Sequence, residues 1–241
     1  MSDAPVRLVA LRVDAEDPLG LARFWADALR WDVADTGGDE VALVPTDGTP
    51  FPVVFVASAT RKAEKNRIHL DLTTTSAGDQ DETVAMLLER GGRHVDIGQG
   101  ADEPHVVLAD PEGNELCVIE PGNSFLAGCG RLGSITCDGT PAVGYFWRDA
   151  LGWPLVWDQD GETAIRAPGP TGPFITWGPP VPPKLAPNRL RLDVAPAGAH
   201  GDQRAAIDRL VALGAQRVGT EAGGVLMTDP DGNEFRVSPA R

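Results

Sequence analysis

Three stretches of this chain occur twice, in the same order. FWADALRW at residues 24–31 returns as FWRDALGW at 146–153, and NRIHLDL at 66–72 returns as NRLRLDV at 188–194. DPEGNEL at 110–116 returns as DPDGNEF at 229–235. The first two pairs are 122 residues apart and the third 119. Ordered landmarks at a nearly constant spacing mean a tandem duplication, and any fold for this chain has to accommodate the same unit twice. The Gly-rich stretch around 121–133 reads as the joint.

Within each half, periodicity alternates between helix and strand. Leu21, Phe24, Trp25, Ala28 and Leu29 fall on one helical stripe, as do Val143, Phe146, Trp147, Ala150 and Leu151. A second helix in each half is predicted to bury Val84, Leu87 and Leu88, or Ile207, Leu210 and Val211, with Gly91 and Gly214 at the expected C-terminal caps. Strands are predicted at 41–45, 52–57, 67–73 and 105–109, and again at 163–166, 174–177, 189–194 and 225–228. The DPxGN segments read as tight turns between the last two strands of each half. Each half is therefore βαβββ–βαβββ, an α+β chain of four modules.

Composition narrows the functional class. Lys and Arg number 21 against 35 Asp and Glu, a net charge of −14, so a nucleic-acid backbone would be repelled. No apolar run is long enough for a membrane helix, and the opening MSDAPVRLVA lacks the basic and apolar regions of a signal peptide. Cys117, Cys129 and Cys137 are too few and too irregular for a disulfide framework. A cytoplasmic location with reduced thiols is expected.

FWxDALxW, NRxHLDL and the closing DPxGNE turn resemble the glyoxalase-like domains of the vicinal-oxygen-chelate superfamily, over nearly the whole chain and twice. The resemblance implies two such domains in tandem, at 5–121 and 131–239, with 122–130 as linker. It also implies a ligand cleft on the non-helical face of each curled sheet. Whether modules pair within a half or across halves stays open, as does the choice between a monomeric fused pseudo-dimer and a homodimer.

Alternation assigns residues to that face. In half one these are Arg67, His69 and Asp71, then Glu115, Cys117 and Ile119; in half two, Arg189, Arg191 and Asp193, then Glu234, Arg236 and Ser238. Metal-dependent relatives take one ligand from the opening and one from the closing strand of each module. By that pattern His69 holds one ligand position and Cys117 another, where Glu is usual. The first module offers only Leu8 and the run 53–56, and half two has Arg191 and Arg236, which cannot coordinate a metal. No cofactor is therefore expected; if a metal were bound, His69, Glu115 and Cys117 would hold it. Arg191 and Arg236 read either as an internal network neutralised by Asp193 and Glu234, or as a bidentate grip on a carboxylate or phosphate of the ligand. The second reading makes the ligand of half two anionic. Trp157 and Trp177, the latter aligned with Val56, are expected as core or as aromatic surface of half two's cleft. His94, His105 and His200 fall in loops or strand ends.

The expected function is metal-independent binding of a small organic molecule, for sequestration or sensing, as in bleomycin-resistance-type proteins. The first alternative is an enzyme of the lyase, isomerase or dioxygenase kind, with His69 as acid–base oriented by Asp71 or as a metal ligand. The second is a structural or interaction protein whose clefts are filled by side chains.

Overall fold

The structure, a computed structural model, describes residues 4–35, 39–100, 102–198, 202–221 and 223–239. Four βαβββ modules follow one another. The first is β1 (Val6–Ala15), α1 (Pro18–Leu29), β2 (Asp32–Asp35), β3 (Glu40–Val44) and β4 (Val53–Ala57). The second is β5 (Ile68–Leu72), α2 (Ala77–Glu89), β6 (Arg93–His94), β7 (Val106–Ala109) and β8 (Glu115–Val118). The third is β9 (Leu132–Asp138), α3 (Pro141–Leu151), β10 (Leu155–Gln159), β11 (Glu162–Arg166) and β12 (Phe174–Gly178). The fourth is β13 (Leu190–Pro196), α4 (Gln203–Ala212), β14 (Gln216–Glu221), β15 (Gly224–Thr228) and β16 (Glu234–Val237). Among the described residues no helix is long and apolar enough to cross a membrane.

Pairing crosses the boundary between the halves. One eight-stranded sheet runs β14-β15-β16-β13-β1-β4-β3-β2, joining the fourth module to the first; the other runs β10-β11-β12-β9-β5-β8-β7-β6, joining the third to the second. The seams are antiparallel, β1 on β13 and β5 on β9. The clefts therefore do not belong one to each half. The first is built by modules one and four, the second by modules two and three.

The helical stripes do what their spacing predicts. Leu21, Phe24, Trp25, Ala28 and Leu29 of α1 are all buried, and so are Val143, Phe146, Trp147, Ala150 and Leu151 of α3. Asp17 caps α1 by accepting a hydrogen bond from the Gly20 amide, and Pro18 opens the helix without wasting an amide. The shorter helices bury less than expected: Leu87, Ile207 and Leu210 are inside, but Leu88 and Val211 are exposed. In α2 the buried stripe is completed by Thr83 instead, whose hydroxyl can bond within the fold. Apolar residues from both sheets and all four helices merge into one core.

The repeated motifs meet at the back of the sheets. Asp110 Oδ1 accepts from the amides of Glu112 and Asn114, and Asp229 Oδ1 from those of Asp231 and Asn233, which closes each DPxGN turn. The indole of Trp25 donates to Asp110 at 3.0 Å, and that of Trp147 to Asp229 at 3.4 Å. Burial raises both carboxyls despite these donors, Asp229 to about 6. Arg67 reaches across to half two, donating to the carbonyls of Pro182 and Asp231 and to Asn233. Arg189 answers from half two, donating to Asn114, Glu112 and the carbonyls of Thr60 and Asp14. Arg67 and Arg189 are thus crossed clamps between the halves rather than cleft residues. Each stands one residue before its strand, β5 or β13.

Candidate functional site

In the second cleft, strand register sets the constellation. His69 lies opposite Thr136 and Asp71 opposite Ser134 across the antiparallel seam; Asp71 also lies beside Cys117, and Thr136 beside Thr176. Partners across a ladder share a face, so all six side chains line one surface. Thr136 donates to Asp71 Oδ2 at 2.6 Å and receives a hydrogen bond from Thr176. His69 Nε2 stands 3.3 Å from Asp71 Oδ1, an oxygen otherwise buried without a hydrogen bond among the described residues. Burial opposes a charge on His69, but Asp71 and the neighbouring Cys117 outweigh it and raise the imidazole to about 10. Burial likewise pushes the Cys117 thiol up, against the pull of His69. At neutral pH His69 is therefore an imidazolium and Cys117 a thiol.

A cavity of about 340 Å³ adjoins His69, Asp71, Thr136, Thr176 and Trp157. Beside it the same face is closed by its own apolar residues: Val107, Cys117, Ile119, Leu126, Ala164 and Phe174. Phe125 stands edge-on to both Trp157 (5.5 Å) and Phe174 (5.0 Å), so the joint between the halves fills one end of this cleft instead of merely linking domains.

The first cleft repeats the register with different chemistry. Arg12 lies opposite Arg191, Ala10 opposite Asp193, Asp193 beside Arg236, and Arg12 beside Val54. Guanidiniums thus stand at Arg191, Arg236 and Arg12, where the second cleft has His69, Cys117 and Thr136. Asp193 accepts from Arg236 at 2.5 Å and stands 3.9 Å from Arg12; Glu40 pairs with Arg12 at 3.0 Å. Arg191 is held by Asp14 and Glu221, each at 2.8 Å; burial disfavours its charge but these carboxylates outweigh it. Burial raises Asp193 in spite of Arg236 and Arg12. A cavity of about 450 Å³ opens over this floor, lined by Arg7, Arg12, Glu40, Val54, Asp193 and Arg236 among others.

Several expected site residues stand elsewhere. Glu115 accepts from Lys62 and the Asn66 amide, and Glu234 pairs with Lys184 and the Asn188 amide. Both carboxylates anchor the loops that enter β5 and β13. Glu115 therefore leaves the metal-capable set, and its place beside His69 and Cys117 is taken by Asp71. Glu234 does not neutralise Arg191 or Arg236. Trp157 belongs to the cleft of His69, not to that of Arg191. Trp177 pairs with Thr163 as Phe55 pairs with Val41, so its counterpart is Phe55 rather than Val56, and its indole is core. His94 sits in β6 and His105 just before β7; His200 lies outside the described residues.

Arg12, Asp14, Glu40 and Thr136 were not singled out by sequence reasoning. Leu8, taken as the first module's cleft position, is core, because the ladder slips between Leu8 and Ala10. Downstream of that slip, the alternation Leu11, Val13, Ala15 puts Arg12 and Asp14 on the cleft face, a signal already present in the sequence.

Metal fit differs between the clefts. His69, Asp71 and Cys117 present donor atoms within 4.8 Å of one another, enough for three ligands to a divalent ion. The corresponding guanidiniums of the first cleft have no lone pair to offer.

Paired βαβββ modules curling around such clefts define a class of proteins, and sequence comparison identifies the family. The glyoxalase-like domain model matches residues 10–119 and 134–238, and the chain belongs to that family. Glyoxalase I from Zea mays superposes with a TM-score of 0.63 at 12% identity, over 98% of this chain and 92% of that one. A candidate dioxygenase from Bacillus subtilis gives 0.66 at 12% identity, over 99% and 86%. At that identity the likeness concerns the fold alone. No curated protein matches the sequence.

Proposed function

We propose that the protein binds a small organic molecule in the cleft of modules one and four, without a metal ion. The observation that carries this is the 450 Å³ cavity whose floor holds guanidiniums at the positions a metal site would need. Its volume is in the range of small-ligand pockets, and its walls combine apolar side chains with a few charged ones. Sequestration or sensing needs no more than that.

Native mass spectrometry of the untagged protein tests the reading. An organic adduct that survives chelator and is lost in Ala42→Trp, which fills the cleft opposite Val54, is the expected result. An adduct that leaves with a stoichiometric metal, or that Ala42→Trp retains, overturns it.

A second reading rests on the other cleft. His69, oriented by Asp71 beside a cavity, is placed to hand a proton to a bound substrate, so its chemistry is that of a general acid. A divalent ion held by His69, Asp71 and Cys117 would polarise a substrate oxygen. Turnover unchanged in His69→Gln removes this reading.

A further inference from the structure

The floor of the first cleft leaves donors unmet: among the described residues, the Nε atoms of Arg12 and Arg236 are buried without a hydrogen-bond partner. Three cations line the cavity, Arg7, Arg12 and Arg236, against two carboxylates, Glu40 and Asp193. Asp193 is shared between Arg12 and Arg236, and Glu40 is half-exposed at the edge of the sheet. Arg7, exposed at the rim, has no carboxylate partner among the described residues. The remaining carboxylates of this face, Asp14 and Glu221, are committed to Arg191. Two buried guanidiniums that share one carboxylate, each with an unpartnered Nε donor, are costly in a low-dielectric surrounding unless a further acceptor is brought to them. Val9, Pro52 and Val54 supply apolar wall beside that floor.

We propose that this cleft selects an organic monoanion: an apolar body carrying one carboxylate- or sulfonate-type head, the head seated against Arg12 and Arg236 and steered in by Arg7. The inference rests on the proposed binding function of the same cleft. A planar guanidinium fork suits a flat, two-oxygen head, and two forks around Asp193 leave room for one such group, not for a polyanion. The whole chain carries −14 and repels anions at a distance, so a preference for them has to come from the cleft itself.

Two fluorescent probes separate the head from the body: anilinonaphthalene sulfonate, and phenyl-naphthylamine, which lacks the sulfonate. Titrated into the full-length protein, the sulfonated probe is expected to bind about tenfold tighter or more, the equivalent of ~1.4 kcal/mol. Ala42→Trp should abolish binding of both. Arg236→Gln should bring the two affinities together by weakening only the sulfonated probe. Arg7→Gln, on the exposed rim, keeps the proposal testable if Arg236→Gln does not fold; it should weaken the sulfonated probe about threefold. Equal affinities for the two probes, both lost in Ala42→Trp, would overturn the monoanion while leaving small-molecule binding in place. No binding of either probe, or binding indifferent to Ala42→Trp, would overturn both.

Discussion

The two clefts share a backbone plan and register but not a chemistry. At matched positions one carries His69, Cys117 and Thr136 around Asp71; the other carries Arg191, Arg236 and Arg12 around Asp193. In both, the central carboxylate sits on the opening strand of the module that closes the seam. What differs is what that carboxylate neutralises. Asp71 faces two titratable partners, His69 and Cys117, and a hydroxyl, whereas Asp193 stands between permanent charges. Duplication supplied two equivalent frames, and the side chains have made one cleft proton-sensitive and the other a fixed electrostatic floor.

That contrast can be broken most forcefully at Asp193. Asp193→Ala leaves Arg12 and Arg236 buried face to face, and urea denaturation should show a loss of about 3–5 kcal/mol. A loss below about 1 kcal/mol would mean the floor is not a coupled network.

Between about pH 6.5 and 10 the second cleft should respond to pH through His69, whereas the guanidiniums of the first stay charged. Folding raises His69 from 6.5 to about 10, so its contribution is fully present below pH 6.5 and fades as pH rises through about 10. Unfolding free energies from denaturant titrations across that window should fall, by an amount on the order of a few kcal/mol, and this slope should be missing from His69→Gln. An identical slope in the variant would assign it to other groups.

Asp71→Asn sharpens the comparison at intermediate size. It removes the charged acceptor of Thr136 but leaves no stranded like charges, so about 1.5–3 kcal/mol is expected, less than at Asp193. The His69 signal in proton NMR should move back toward its ordinary titration range. Smallest of all, Arg7→Gln should leave stability within about 0.5 kcal/mol, measured by thermal unfolding, since the side chain is exposed and has no carboxylate partner among the described residues. A larger loss would give Arg7 a structural role.

The module plan was legible because its determinants are local. FWxDALxW, NRxHLDL and DPxGNE advertise the repeat so clearly because they bind one another: indole to turn carboxylate, clamp arginine to turn asparagine. The same strength misled site assignment, since Arg67, Arg189, Glu115 and Glu234 stand in conspicuous motifs yet serve as braces. Alternation placed His69, Asp71, Cys117, Arg191, Asp193 and Arg236 on the correct face. It could not say which strand lies next door, because β5 pairing with β9 and β13 with β1 is a long-range choice that periodicity does not encode. Hence Trp157 was grouped with the wrong cleft. For Trp177 the core reading holds, at the margin of the cavity beside His69, and only its alignment slipped by one residue, from Phe55 to Val56.

The seam between β1 and β13 has a consequence for the order in which the chain assembles. Modules two and three are neighbours along the chain, and the sheet they share needs only residues up to Gly178. Strand β1 has to wait until residues from Leu190 onward leave the ribosome before its antiparallel partner exists. During synthesis the histidine cleft can therefore close first, while β1 of the first module is paired on one side only, by β4. That interval of exposed strand edge is when this chain is most open to pairing with a neighbouring copy of itself.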